Sequence, residues 1–360
     1  MKQQANKIRV ALLFGSCSSE HEVSCVSAAA WADALATMPD RYEVILVGIT
    51  KQGRWLKYSG STEGMRSGSW EQDASCVPCV LSPDRSDHGL LVHSANGYEL
   101  LPVDVVAPIL HGKNGEDGAV QGLLQLAGIP FVGCDMISSA CCMDKVITNT
   151  LLDEAGIAQA KWLGLKEHEY KENGEEFIKK AEEYLGYPIF VKPANAGSSV
   201  GVSKAADKDS LKRAIAKAFK EDTKLVLEEG ITGKEIECAV LGNEEPIASL
   251  VGEIESCNDF YDYDAKYINE ASKLYIPARI EQKISDEIRE TAVRAYKALG
   301  CSGLARVDFF VREGDNKVLL NEPNTIPGFT SISMYPKMFQ KSGVEYPELI
   351  DRLFTLACER

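Results

Sequence analysis

The sequence predicts an α/β protein, with a parallel, doubly wound sheet in its first third and two α+β units after it. Three observations carry this prediction. Apolar runs alternate with helical patterns from Val10 to Gly133, the character of the chain changes near Met143, and strand-like segments crowd the stretch after Gly233. At 360 residues the chain is long for a single core, and the shifts in pattern divide it into units 1–144, 145–229 and 230–360.

The first unit opens with the apolar run Val10 to Phe14, a buried strand by length and composition. The loop "GSCSSEHEVS" follows, and then the helical pattern of "CVSAAAWADALATM". Strands are expected at "YEVILVGIT" and "VDVVAPIL", a helix over 119–127, and a short strand at "IPFVG". Residues 60–98 are rich in Gly, Ser and Asp and read as loop with short strands. In the second unit, "DKVITNTLLDEAGI" is helical and stops at Gly156, and a second helix covers 174–185. The hairpin "FVKPANAGSSVGV", the helix "DSLKRAIAKAFKE" and the strand "KLVLEEG" complete it. The third unit offers strands at "EIECAVLG", "PIASLVGEIE", "LARVDFFV" and "KVLLNEPN", a helix over 285–299 and a last helix over 346–357.

Composition narrows the function. Hydrophobic residues make up 45% and charged residues 26%, as in a globular chain. A net charge of −14 argues against bulk nucleic-acid binding, although local lysines can still hold a small anion. No apolar run approaches the roughly 18 residues of a membrane span, and "MKQQANKIRV" leads into a strand with no cleavage site. A cytoplasmic protein is expected. The eleven cysteines are scattered; "CVPC" at 76–79 has no second CxxC to complete a zinc site and does not open a helix. Reduced thiols fit better.

The strongest chemistry lies in "ARVDFFVREGDNKVLLNEPN", two antiparallel strands joined by a Gly-containing turn. A three-residue turn would pair Glu313 with Lys317, and so Asp308 with Glu322 and Arg306 with Asn324, all on one face. Two carboxylates and an amide oxygen suit Mg²⁺, the arginine suits an oxyanion or phosphoryl group, and the loop at Gly328 adds backbone N–H donors. The bland reading is a solvated face with cross-strand ion pairs. In the hairpin, Lys192 stands beside a Gly-Ser tip able to lay amides on phosphates, or the tip is simply a turn. Glu228, Glu229 and Glu235 could meet an adenine amino group and ribose hydroxyls, or be surface charge. Glu20 stands near a helix N-terminus, as a ligand group or a cap. His111, Glu116 and Asp117 sit on a Gly-punctuated loop at the carboxyl edge of the sheet, where α/β folds place ligands, though His111 could be structural. "NDFYDYDAKY" at 258–267 reads as a lid of aromatics and acids.

In this order, "GSCSSEHEVS", "HGKNGEDG", "MDK", "VKPANAGSSVGV", "EEGITGKE", "FYDYDAKY", "ARVDFF" and "NEPNTIPGFTS" resemble the D-alanine–D-alanine ligases of the ATP-grasp fold, from Phe14 to Pro336. That resemblance implies a three-domain enzyme whose two α+β domains sandwich ATP. It places Lys145 and Lys192 on the phosphates, Glu228, Glu229 and Ile231 around adenine, and Glu235 on ribose. Asp308, Glu322 and Asn324 would hold two Mg²⁺ or Mn²⁺ ions. Glu20 would take the ammonium of the first D-alanine, with His111 nearby, and Arg306 and the Gly328 amide would face the tetrahedral centre. Lys266 would reach the transferred phosphate, while Tyr267, Ser198 and Glu20 form a clasp closing the lid. A homodimer is also implied. Gly15-Ser16 departs from the family's Gly-Gly, and Ile332 stands where a histidine is common.

The wording of "HGKNGEDG", "GCD", "CMDK" and "CSG" is similar to the vancomycin-resistance branch that makes D-Ala–D-Ser. Tyr267 argues against D-lactate as second substrate. Ser333 is expected to bind the incoming carboxylate, and Met334 beside it suits a methyl group, where the D-serine enzymes carry arginine. D-alanine is therefore expected over D-serine, since a hydroxyl facing Met334 would lose its water partners at a cost of about 1–3 kcal/mol. Two rivals remain: another ATP-grasp ligase, which would not need Glu20, His111 and Tyr267, and a nucleotide sensor, which would not need all of Arg306, Asp308, Glu322 and Asn324.

Overall fold

A computed structural model describes residues 7–197, 200–255 and 273–360. The first sheet has seven strands in the order β6-β5-β4-β3-β2-β1-β7. Its strands are β1 (Ile8–Gly15), β2 (Tyr42–Ile49), β3 (Trp55–Tyr58), β4 (Val77–Leu81), β5 (Gly89–Ser94), β6 (Gly97–Pro102) and β7 (Val105–Pro108). Only β2, β1 and β7 run parallel, and they carry the near-continuous apolar runs that a sheet covered on both faces requires. The stretch 60–98, expected as loop with short strands, holds the short strands β4 and β5, which extend the sheet as an antiparallel meander with β6, and a helix that was not expected, α2 (Thr62–Ser67). "IPFVG" supplies a single bridge, Val106 to Phe131, and no strand.

Helix α1 (His21–Ala36) starts four residues before the apolar pattern does, because its first turn buries the polar His21 and Ser24. Ser24 accepts the Gly15 N–H at 2.9 Å and donates to the Ile109 carbonyl, tying the helix start to the ends of β1 and β7. Helices α3 (Ala119–Ala127), α4 (Met136–Met143) and α5 (Lys145–Glu154) lead out of this unit.

The middle sheet, β10-β9-β11-β8, is antiparallel: β8 (Trp162–Lys166), β9 (Ile189–Pro193), β10 (Ser203–Ala205) and β11 (Lys224–Glu229). It is backed by α6 (Glu167–Leu185) and α7 (Lys208–Ala218), whose apolar faces close a separate core of Leu165, Ile178, Ile189, Leu211, Ile215 and Leu227. Non-helical angles at Asn173 kink α6, so the expected helix over 174–185 is its second half.

The last sheet is β14-β13-β12-β15-β16, all antiparallel: β12 (Gly233–Gly242), β13 (Ile247–Glu255), β14 (Lys273–Tyr275), β15 (Gly303–Arg312) and β16 (Val318–Asn324). Around it lie α8 (Gln282–Ala298), α9 (Met334–Lys341) and α10 (Tyr346–Cys358). One side of the last sheet packs a core of its own with α8, among it Ile236, Val240, Ile288, Ala295, Val307 and Phe309, while α9 and α10 share the first unit's core. Trp31 of α1 packs edge-on against Phe329 and Phe354, at 5.1 and 5.7 Å between ring centroids. The first and last units therefore form one hydrophobic body, and the middle sheet stands on its own.

Among the described residues no helix is long and apolar enough to cross a membrane. Their cysteines are all unpaired thiols; burial pushes Cys25 and Cys238 up to about 12, which leaves them protonated and inert.

Candidate functional site

The register of the last sheet builds a row of acids. Asp308 on β15 is opposite Glu322 on β16 and opposite Glu237 on β12, so three carboxylates cross three neighbouring strands. The expected pairings of Asp308 with Glu322 and of Arg306 with Asn324 both occur, but not by the expected route. The turn is one residue longer than predicted: the Arg312 N–H reaches the Lys317 carbonyl at 3.0 Å, so Lys317 does not face Glu313. A β-bulge between Asp308 and Phe309 then absorbs one residue and restores the pairing at the site.

Arg306 holds this row. Its guanidinium donates to both oxygens of Asp308 at 2.7 Å each, and its Nε lies 3.2 Å from the Glu237 carboxylate. The Asn324 amide donates to Asp308 at 2.9 Å. Glu322 faces the Lys145 ammonium at 3.9 Å.

The lysines come from the middle unit. Asp144 caps α5 by accepting the Val146 and Ile147 N–H groups, which sets Lys145 as the helix's first residue. Lys145 is stitched to the hairpin loop, its N–H to the Ala194 carbonyl at 3.0 Å and its Nζ to the Ala196 carbonyl at 2.8 Å. Lys192 points from β9 to Glu228 of β11, with 2.6 Å between Nζ and Oε2. Burial would lower the pKa of this lysine, but Glu228, Glu322 and Glu235 outweigh it and hold the ammonium above its ordinary value.

These groups line one cleft between the middle and last sheets. Lys145, Lys192, Glu228, Glu229, Ile231, Glu235, Asp308 and Glu322 all face it, with Phe190, Ile254 and Phe310 as apolar walls. The Glu229 carboxylate also accepts the Lys161 N–H at 2.8 Å. Six carboxylates, those of Glu228, Glu229, Glu235, Glu237, Asp308 and Glu322, share the lining with two lysines. Such a cleft fits hard divalent cations: its donors are oxygens, and its negative charge would be raised further by a triphosphate. Among the described residues no group of three His, Cys, Asp or Glu side chains is arranged to hold a metal ion, so the candidate oxygen set is Asp308 and Glu322 with the amide of Asn324 beside them.

At the other end of the site, loops of the first unit supply the geometry. Glu20 is buried, and its backbone N–H bonds Ser18 Oγ at 3.1 Å. Two glycines press on its carboxylate. A Cβ at Gly112, where φ is +71°, would fall 2.5 Å from Oε2, and one at Gly197 of the hairpin loop would fall 2.8 Å from it. The hairpin tip thus reaches Glu20 across the unit boundary.

His111 is expected as a substrate contact, but both its ring nitrogens are taken by protein. Nδ1 lies 3.0 Å from the Ile326 carbonyl and Nε2 lies 3.0 Å from Ser27 Oγ, which also accepts the Phe329 N–H at 3.3 Å. A carbonyl only accepts, so Nδ1 carries the proton and Ser27 donates to Nε2. Burial lowers the imidazole pKa and keeps it neutral. Glu116 completes the grip, accepting the Gly112 N–H at 2.7 Å and the Ile326 N–H at 3.1 Å. Burial, reinforced by nearby Glu20, raises the carboxyl of Glu116 well above the usual range. The Ile326 peptide groups and the Phe329 N–H are thereby anchored on either side of Gly328. His111 acts here as a strut, with its nitrogens unavailable to a ligand.

Ser333 precedes α9 without capping it; its Oγ accepts the Thr330 N–H at 3.0 Å and lies 2.7 Å from where a Cβ on Gly328 would stand. Met334 is buried, its methyl lying where a Cβ on Gly252 would come within 2.1 Å. Gly252 pairs with Glu237, so Met334 covers the end of the acid row. Ser198, Lys266 and Tyr267 lie outside the described residues. One participant is not marked out by the sequence: Glu237, which lies inside the strand "EIECAVLG". The alternation of "KEIEC", which puts Glu235 and Glu237 on one face, is the signal that could have found it.

Two family models cover most of the chain, that for the N-terminus of D-ala D-ala ligase over residues 9–134 and that for its C-terminus over 151–355. The D-alanine–D-alanine ligase of Caldicellulosiruptor bescii is 50% identical over 354 residues, covering 98% of this chain and 96% of its own. That of Acetivibrio thermocellus is 49% identical over 367 residues, covering 99% and 97%. Among solved structures, the VanG D-Ala:D-Ser ligase of Enterococcus faecalis matches with a TM-score of 0.88 and 44% identity over 98% of this chain and 100% of its own. The D-alanine–D-alanine ligase of Coxiella burnetii matches with a TM-score of 0.84 and 34% identity over 99% and 95%.

Proposed function

The chain belongs to the D-alanine–D-alanine ligase family, and from that premise we propose that it joins two D-alanines at the expense of ATP, for peptidoglycan precursor synthesis. The observation that carries this reading is the single cleft in which Lys145 and Lys192 face Asp308 and Glu322. In the first step the carboxylate of one D-alanine attacks the γ-phosphorus, giving an acyl phosphate and ADP. In the second, the amine of the other D-alanine attacks the carbonyl carbon, the C–O bond to phosphate breaks, and the amine loses a proton.

Each group of the chain has a part in these steps. Lys145 and Lys192 hold phosphates, Glu228, Glu229 and Ile231 surround adenine, and Glu235 meets ribose. Asp308, Glu322 and Asn324 would hold two Mg²⁺ or Mn²⁺ ions, which when bound neutralise charge on the transferring phosphoryl group. Glu20 receives the first ammonium; Arg306 and the Gly328 N–H meet the oxyanion. Ser333 takes the second carboxylate. Lys266 and Tyr267 of the lid, with Ser198, close the site, because an acyl phosphate hydrolyses if water enters. The working units are 1–144, 145–229 and 230–360, and the assembly is a homodimer in the cytoplasm.

A second reading makes D-serine the second substrate, and the 44% identity to the VanG enzyme favours it. The apolar Met334 at the end of the acid row supports D-alanine. Phosphate release from ATP, measured with Mg²⁺ and a panel of D-amino acids, tests both. D-alanine-dependent release with dipeptide formed in equal amount is expected. Release indifferent to D-alanine would overturn the assignment, and a higher kcat/KM for D-serine would replace the second substrate.

A further inference from the structure

We propose that Glu237 is a positioning residue for Arg306: it keeps the guanidinium in place when Asp308 is drawn toward a divalent cation. This rests on the reading of Arg306 as the group that meets the oxyanion. Like charges directly opposite on neighbouring strands destabilise a sheet, and Glu237 stands directly opposite Asp308. Both side chains are nearly out of solvent, at 8% and 13% exposure, where carboxylates need a cation close by. Arg306 is that cation, 3.2 Å from Glu237 and 2.7 Å from Asp308.

The geometry gives Asp308 two duties. Both its oxygens lie on Arg306, yet it also belongs to the oxygen set suited to a metal ion. An oxygen turned toward a dication loosens its bond to the guanidinium, and the dication repels the arginine. Glu237, on the far side of Asp308 from Glu322, is placed to keep hold of Arg306 during that exchange. On its other side Glu237 pairs with Gly252, which has no side chain and no charge to offer.

The test is a double-mutant cycle on the full-length enzyme, with Glu237→Gln and Arg306→Ala alone and together. Glu237→Gln should lower kcat by about ten- to a hundredfold, as a misplaced catalytic group does, with the KM for ATP little changed. In the Arg306→Ala background the same step should change kcat by no more than about twofold, the mark of two residues acting as one. Glu237→Asp, which keeps the charge, should recover part of the loss. Mn²⁺ binding followed by electron paramagnetic resonance should weaken far less in Glu237→Gln than in Glu322→Gln. Equal losses of kcat in both backgrounds, a raised KM for ATP at normal kcat, or Mn²⁺ binding lost as in Glu322→Gln would each overturn the proposal. A normal rate in Arg306→Ala would remove the underlying reading as well, whereas a normal rate in Glu237→Gln would remove this inference alone.

Discussion

The nucleotide side and the amino-acid side of the site are built by opposite means. On the first, Glu237, Asp308, Glu322, Lys192 and Glu228 project from strands, so the two-residue alternation of the backbone aims them. On the second, Glu20, His111, Glu116 and Gly328 sit on loops, held by hydrogen bonds to peptide groups and by glycines that let chains touch. The strand-borne groups are aimed by the backbone itself and are coupled only through their ion pairs, as in the cluster of Glu237, Asp308 and Arg306. The loop-borne groups brace one another, so a change in one is felt at the others.

The sharpest test of the strand side is Glu322→Gln. Turnover should fall by about a hundredfold or more, because a carboxylate that neutralises phosphoryl charge is lost. The melting temperature should stay within a few degrees, since the side chain is partly exposed and packs no core. A large loss of stability would erase the contrast between the two sides. On the loop side, Gly112→Ala puts a Cβ against the Glu20 carboxylate and strains a left-handed backbone position. The KM for D-alanine should rise by about tenfold or more, with the KM for ATP unchanged. An equal rise in both would mean that the loop and the cleft are not separable.

Glu116→Gln should cost somewhat less. One of the two N–H groups it satisfies would face an amide NH₂ instead, a loss of about 1–3 kcal/mol, read as reduced kcat through a loosened Gly328. Met334→Arg should shift preference toward D-serine by a few-fold, about 1 kcal/mol. Unchanged selectivity, measured by competition between the two amino acids, would place that subsite elsewhere. The smallest effect concerns pH. Burial holds the His111 pKa below that of a free histidine, about 6.5. The unfolded chain therefore takes up the proton first, and stability present above about pH 6.5 is lost as pH falls from there toward the folded value. The difference in melting temperature between the natural enzyme and His111→Gln should shrink on going from pH 7 to pH 5.5.

What the sequence made legible follows the same division. Strand alternation was enough to bring Asp308, Glu322, Arg306 and Asn324 together, even though the turn was misjudged by one residue. The bulge at β16 corrected the register, and nothing in "NKVLLNEPN" announces a bulge. Glu237 was missed because it lies on a third strand, and the pairing of β12 with β15 joins segments some seventy residues apart, beyond any local pattern. The strut role of His111 was hidden for a different reason. It depends on the carbonyl of Ile326, and backbone partners leave no trace in residue identity. The meander that begins in 60–98 is only partly legible because its strands, "VPCVL" and "GLLVHS", are short and are separated by the polar segment "SPDRSDH".

The account stands on acids of the last sheet meeting a triphosphate held by lysines of the middle one. A crystal structure with a non-hydrolysable ATP analogue and Mn²⁺ tests this most directly. Anomalous density for manganese should lie about 2.0–2.2 Å from oxygens of Asp308 and Glu322, with the γ-phosphate within reach of Lys192. Manganese bound elsewhere, or the triphosphate lying away from Lys145 and Lys192, would contradict it.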